Sequence, residues 1–293
     1  MKKRNVLNVI IVLLGFIISS CTPTCMDCEC DDCGDNGNGN LEIIRDWSNL
    51  WIENQKTEEI SIYLYHSTSP TWNRTTYTDT SYYSVPSGDY QAIAISKTNQ
   101  TLLKGMDNYH TATISLPTQF KDSVLTVDNA PLNLADKTTV SIKTEEMSQC
   151  VVSPTPLVKV VNFKIFINAN EYIKEITECR GELSGVLTST KIYVEQKTWQ
   201  SAILSFDATK NSREYFEKTI TMLGVDPTKT KRLNLTFKDL DGVAKSVDLD
   251  LSKQLDFSQT AIINCTLEID ITGVGIQVEI VDWQEGTIGD IIL

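Results

Sequence analysis

The chain has 293 residues, 41% of them apolar, and its 38 acids outnumber 26 basic residues for a net charge of −12. That balance excludes nucleic acid, or an anionic lipid surface gripped by charge, as the natural partner. The apolar fraction belongs to a folded protein rather than a disordered one, and the length allows two domains of ordinary size.

The first element is a targeting segment. Lys2, Lys3 and Arg4 form a positive n-region, and Val6 to Ile18 is an apolar run too short to span a bilayer. Ser19 and Ser20 before Cys21 resemble a lipobox, in which the cysteine thiol takes a diacylglycerol group and the signal peptide is cut in front of it. Residues 1–20 are therefore expected to be a lipoprotein signal peptide, with Cys21 the lipidated first residue of the mature chain. Loss of the signal leaves 23 basic residues against 38 acids, a net charge of −15. Buried acyl chains at roughly 0.8 kcal/mol per methylene, with more than one chain present, make a permanent membrane anchor.

Residues 21–40 read as a tether. Cys25, Cys28, Cys30 and Cys33 are spaced C-x2-C-x-C-x2-C among Asp27, Glu29, Asp31 and Asp32, and a Gly/Asn-rich run follows. Thiolates are the ligands that zinc and iron–sulfur sites use. Four of them this close, however, leave few residues to fold around an ion, so the expectation is no bound metal and thiols that oxidise locally or between chains. As a coil the segment reaches roughly 25 Å from the membrane. Acids soon after a lipidated cysteine also resemble the surface-export signal of Bacteroidetes lipoproteins.

From Leu41 onward the pattern is strands and turns. Glu59 to His66 alternates, with Ile60, Ile62 and Leu64 on one face and Ser61, Tyr63 and Tyr65 on the other. A turn is expected at Ser69-Pro70, a Thr/Tyr-rich strand region over Arg74 to Ser84, a turn at Val85 to Gly88, and a strand over Tyr90 to Ile95. Thr111 to Leu116, Ser123 to Val127 and Thr138 to Lys143 continue the series. Strands about every ten residues without helices between them indicate an antiparallel sandwich, residues 41–152.

Ser148 to Pro156, with prolines at 154 and 156, reads as the linker, because that spacing resists helix and central strand alike. A second sandwich, residues 157–293, is expected to carry strands over Val158 to Ile167, Ser184 to Glu195, Leu233 to Phe237, Val243 to Leu249, Ala261 to Ile271 and Ile276 to Trp283. Asp239-Leu240-Asp241-Gly242 lies between two of these. It reads as a hairpin turn, since Asp-Gly supplies the positive φ a tight turn needs and the further acids of a calcium loop are missing.

No catalytic constellation assembles. His66 and His110 are the only histidines, and neither a nucleophile elbow nor a glycine-rich phosphate loop is present, so the chain is read as non-enzymatic and without a cofactor. Cys150, Cys179 and Cys265 fall in the body. Cys150 with Cys179 could form a disulfide; the other account is three unpaired core cysteines.

Asp46-Trp47-Ser48 ahead of Ile60 to Tyr65, then Val85-Pro86-Ser87-Gly88-Asp89-Tyr90, resembles the first domain of fimbrial anchor lipoproteins of Bacteroidales. Phe166 to Ile173, Gly181 to Val186 and Val281-Asp282-Trp283 are similar to elements of their second domain. The resemblance covers residues 41–293 and implies an all-β chain of two tandem transthyretin-like Greek-key sandwiches. It further implies a cell-adhesion role at the outer membrane, with fimbrial subunits as partners joined by donated strands. The alternative is a surface glycan-binding lipoprotein, because Trp47, Trp51, Tyr63, Tyr65, Trp72, Tyr77, Tyr82 and Tyr83 are dense and flat rings stack on sugars. That reading requires Tyr63, Tyr65, Tyr82 and Tyr83 to line one exposed patch.

Overall fold

The computed structural model describes residues 37–50, 59–67, 69–96, 102–116, 124–125, 134–169, 175–192, 199–211, 215–258, 260–271 and 276–285. Every regular element among them is a strand. The first eleven are β1 (Asn38–Arg45), β2 (Ile60–His66), β3 (Ser69–Thr76), β4 (Thr80–Pro86), β5 (Gly88–Ser96), β6 (Leu102–Lys104), β7 (Thr113–Ser115), β8 (Val124–Leu125), β9 (Leu134–Ile142), β10 (Met147–Val152) and β11 (Thr155–Pro156). Sheet order β10-β1-β4 faces sheet order β11-β9-β5-β2-β3. Period-two alternation drives this packing: Leu41 and Ile43 of β1, Ile60, Ile62 and Leu64 of β2 and Val140 and Ile142 of β9 all point into one buried core.

The second sandwich holds β12 (Lys159–Ala169), β13 (Ile176–Leu187), β14 (Ser189–Lys191), β15 (Ser201–Lys210), β16 (Tyr215–Met222), β17 (Arg232–Asp239), β18 (Ala244–Asp250), β19 (Ile262–Ile271) and β20 (Ile276–Glu285). Its ladder runs β18-β17-β13-β15-β16-β12-β19-β20, and Cα atoms of the end strands β18 and β20 come within 8 Å, so the sheet curls nearly closed. Phe163 and Phe206 stack at 5.6 Å in its core beside Phe216 and Phe237. Each such ring contributes roughly 1.5–3 kcal/mol by leaving water. Gly181 makes room for that stack, since a Cβ there would sit 2.1 Å from the Phe206 ring.

The chain is thus all-β with tandem β-sandwiches, but several features differ from the sequence reading, which also missed β15 and β16 and carried the tether to Asn40, inside β1. Met147–Val152 is a strand of the first sandwich and not linker, because its alternating burial seats Cys150 and Val152 in the core before the prolines begin. The sheets are mixed: β1 pairs parallel with β10, β12 with β19, and β8 with β15. The halves are also interlocked. β6 and β7 join β14 in a small sheet, and Ile95, Ile114, Leu116 and Ala135 from the first half pack in the second core.

Candidate functional site

Cys21, the tether residues Cys25, Cys28, Cys30 and Cys33, and Trp51 lie outside the described residues. Of the body cysteines, Cys150 is buried in the first core, whereas Cys179 and Cys265 are buried in the second, and all three are free thiols. Of the two accounts, the Cys150–Cys179 bridge is not formed, since the two side chains point into different cores, and the three cysteines are unpaired core residues. Desolvation, aided by Asp136, raises the Cys150 thiol to about 11, and desolvation raises Cys179 and Cys265 to about 12.

His66 lies at an exposed strand end against the Asp89 carbonyl, and His110 is exposed beside Tyr109. In the 239–242 turn, Asp239 Oδ1 accepts the Asp241 and Val243 amides, both at 2.9 Å. That oxygen serves the backbone, as a hairpin turn requires. Among the described residues no cluster of His, Cys, Asp and Glu has the geometry to hold a metal ion.

The aromatic residues do not form a platform. Tyr65 is fully buried, its hydroxyl donating to the Met106 carbonyl at 3.0 Å under the loop that carries β6 and β7. Tyr63 packs partly beneath the same cover, and Tyr83 packs edge-on against Trp72 at 5.1 Å beside the first core. Only Tyr82 of the four is open, and its hydroxyl is occupied by Glu42 at 2.8 Å.

The surface feature that stands out is a sheet edge. Natural edges are blunted by charge or proline, because their unpaired N–H and C=O groups invite another strand. β3 carries Pro70 and Arg74, β18 carries Lys245, Asp248 and Asp250, and β20 carries Glu279, Asp282 and Glu285. β10, Met-Ser-Gln-Cys-Val-Val, carries neither charge nor proline and stands at the end of its sheet. Its outward side chains are Met147, 56% exposed, Val151, 46% exposed, and between them Gln149, also exposed. Beside it, β1 fills the centre of the sheet, and Glu42 ties all three strands by accepting Tyr82 Oη and Gln149 Nε2, the latter at 2.7 Å. At the far end Arg45 pairs with Asp79 at 3.3 Å, which also accepts Trp47 Nε1 at 2.7 Å. Burial lowers the Arg45 pKa, and Asp79 and Tyr83 oppose that shift. Sequence reading missed β10 because the prolines that follow it masked its alternation.

No protein-family model matches the chain, and no curated protein matches it. Solved structures do. A candidate adhesin from Bacteroides ovatus superposes with a TM-score of 0.60 at 15% identity, covering 85% of this chain and 95% of its own. The fimbrial anchor protein Mfa2 from Porphyromonas gingivalis gives 0.58 at 9% identity, covering 86% and 99%. A structure from Bacteroides thetaiotaomicron, described as of candidate polysaccharide-binding proteins, gives 0.54 at 9% identity, covering 83% and 98%. The likeness is one of fold. It extends through both sandwiches, so the tandem arrangement is common to this chain and to proteins named for adhesion and for fimbrial anchoring.

Proposed function

We propose that the chain is an outer-membrane lipoprotein, held by acyl chains on Cys21, that serves without enzymatic activity as a structural anchor or accessory subunit of a surface fimbrium. Its partners are fimbrial subunits, and assembly proceeds by strand complementation. The observation that carries the reading is β10, an unguarded edge on a fold shared with a fimbrial anchor protein and with candidate adhesins. A donated strand pairs the free N–H and C=O groups of β10 and covers Met147 and Val151. The mature negative charge suits a protein that relies on its lipid rather than on electrostatic attraction to stay at the membrane.

Radiolabelled palmitate is expected to enter the wild-type chain and not Cys21→Ala, and chains sheared from cells are expected to co-purify with a ladder of fimbrillin-like subunits. Equal labelling of both chains contradicts the anchor. Recovery of the chain alone, retarded by polysaccharide in an affinity gel, favours the glycan reading. Tyr63, Tyr65, Tyr82 and Tyr83 give that reading no flat exposed patch.

A further inference from the structure

We infer that β1 is a shear-loaded clamp, built so that tension between the membrane tether and the far end of the molecule pulls along the strand rather than across it. The inference rests on the lipid-tether reading above, because it takes force to enter the folded chain at Gly37.

The topology fixes the direction of that force. β1 and β10 are parallel, in register from Asn40 opposite Met147 to Arg45 opposite Val152. The tether enters at the N-terminal end of β1, and the chain leaves for the second sandwich through the two-residue β11, just past the C-terminal end of β10. In a parallel pair these are opposite ends. Force applied at the two ends therefore slides one strand along the other, and the evenly spaced ladder bonds share the load at once. A pull at two strand ends lying on the same side opens bonds one after another, and forced unfolding follows the unfolding rate that results.

Three further features resist sliding. Leu41 and Ile43 are fully buried pegs on the inner face. On the outer face Glu42 spans to Tyr82 on one neighbour and Gln149 on the other, at 2.8 and 2.7 Å. At the trailing end Arg45 holds Asp79 at 3.3 Å, while the Arg45 and Asp46 amides donate to Asp79 and Val152 carbonyls at 2.8 Å. Gly39 lets the strand lie this close, since a Cβ there would meet the Lys143 carbonyl oxygen at 2.3 Å. The far end of the load is also defined. β13 runs from Ile176, opposite Asp239, to Leu187, whose successor strand β14 pairs with β7 of the first half, so the 239–243 turn lies at the end away from the first sandwich.

Single-molecule pulling on the full chain tests this with two handle geometries. One handle enters after Asn36 in both. The second sits either in the 239–243 turn, which loads β1 in shear, or at Ser87, whose amide bonds the Gly37 carbonyl at 2.9 Å and which therefore unzips β1 from β4. The expected result is a rupture force severalfold higher in the first geometry. Equal or lower force there overturns the clamp. Glu42→Ala in the first geometry gives a second reading: a reduced rupture force supports the outer-face tie, and an unchanged one contradicts it. Neither arm uses lipid or fimbriae, so their failure is distinct from a failure of palmitate labelling at Cys21.

Discussion

Cys150, Cys179 and Cys265 each lie in a core that holds their thiols neutral, with pKa values raised to about 11, 12 and 12. The sign of the linkage follows. A thiol neutral in the fold ionises first in the unfolded chain, so its contribution is complete below the unfolded value of 9.0 and is lost as pH rises through the folded one. Denaturant midpoints are expected to fall between pH 9 and 12, and less steeply in Cys179→Ala once its own destabilisation is subtracted; parallel curves would contradict the assignment. Gly181 acts through volume. Gly181→Val forces a branched side chain into the Phe206 ring, and the expected loss is about 2 kcal/mol or more by overpacking, read as a lower thermal midpoint. An unchanged midpoint would mean that the Phe163–Phe206 stack yields freely.

At the scale of elements, the strands that sequence reading located are those whose own residues alternate or run apolar between turn signals, whether or not the second face stays wet in the fold. Ile60 to His66 and Tyr90 to Ile95 alternate cleanly and became β2 and β5, and the closing strands from Leu233 to Trp283 were placed within a few residues. What escaped has physical causes. The Ser69-Pro70 turn is instead the start of β3, an edge strand of the kind that tolerates proline, with a bulge between Leu64 and Tyr65 next to the proline. Tyr63 and Tyr65 looked solvent-facing because β2 alternates; the cover over them comes from residues 102–116, a long-range contact with no local signal. β15 and β16 alternate more weakly at their outer ends, and the parallel pairings depend on chain crossings that periodicity does not encode. β10 escaped because Pro154 and Pro156 follow it so closely that its alternation reads as the start of a linker.

On the proposed reading, the whole molecule joins three parts with separate physical roles: a lipid on Cys21 that fixes position, a tether that sets reach, and interlocked sandwiches that present an edge and transmit tension. Sharing Ile95, Ile114, Leu116 and Ala135 with the second core couples the halves, so the chain from Gly37 onward forms one compact unit. The edge itself is separable from stability. Val151 is exposed, so Val151→Lys is expected to leave the melting midpoint within about 0.5 kcal/mol of wild type, while placing on β10 the kind of charge that guards β18 and β20. The most direct measurement is photo-crosslinking on intact cells from a reactive side chain at Gln149 of β10, compared with one at Lys245 of the charged edge β18. An adduct with a fimbrillin-like subunit from position 149, lost in Val151→Lys and absent from position 245, is the predicted result. No adduct at 149, or equal adducts from both edges, would contradict strand pairing at β10.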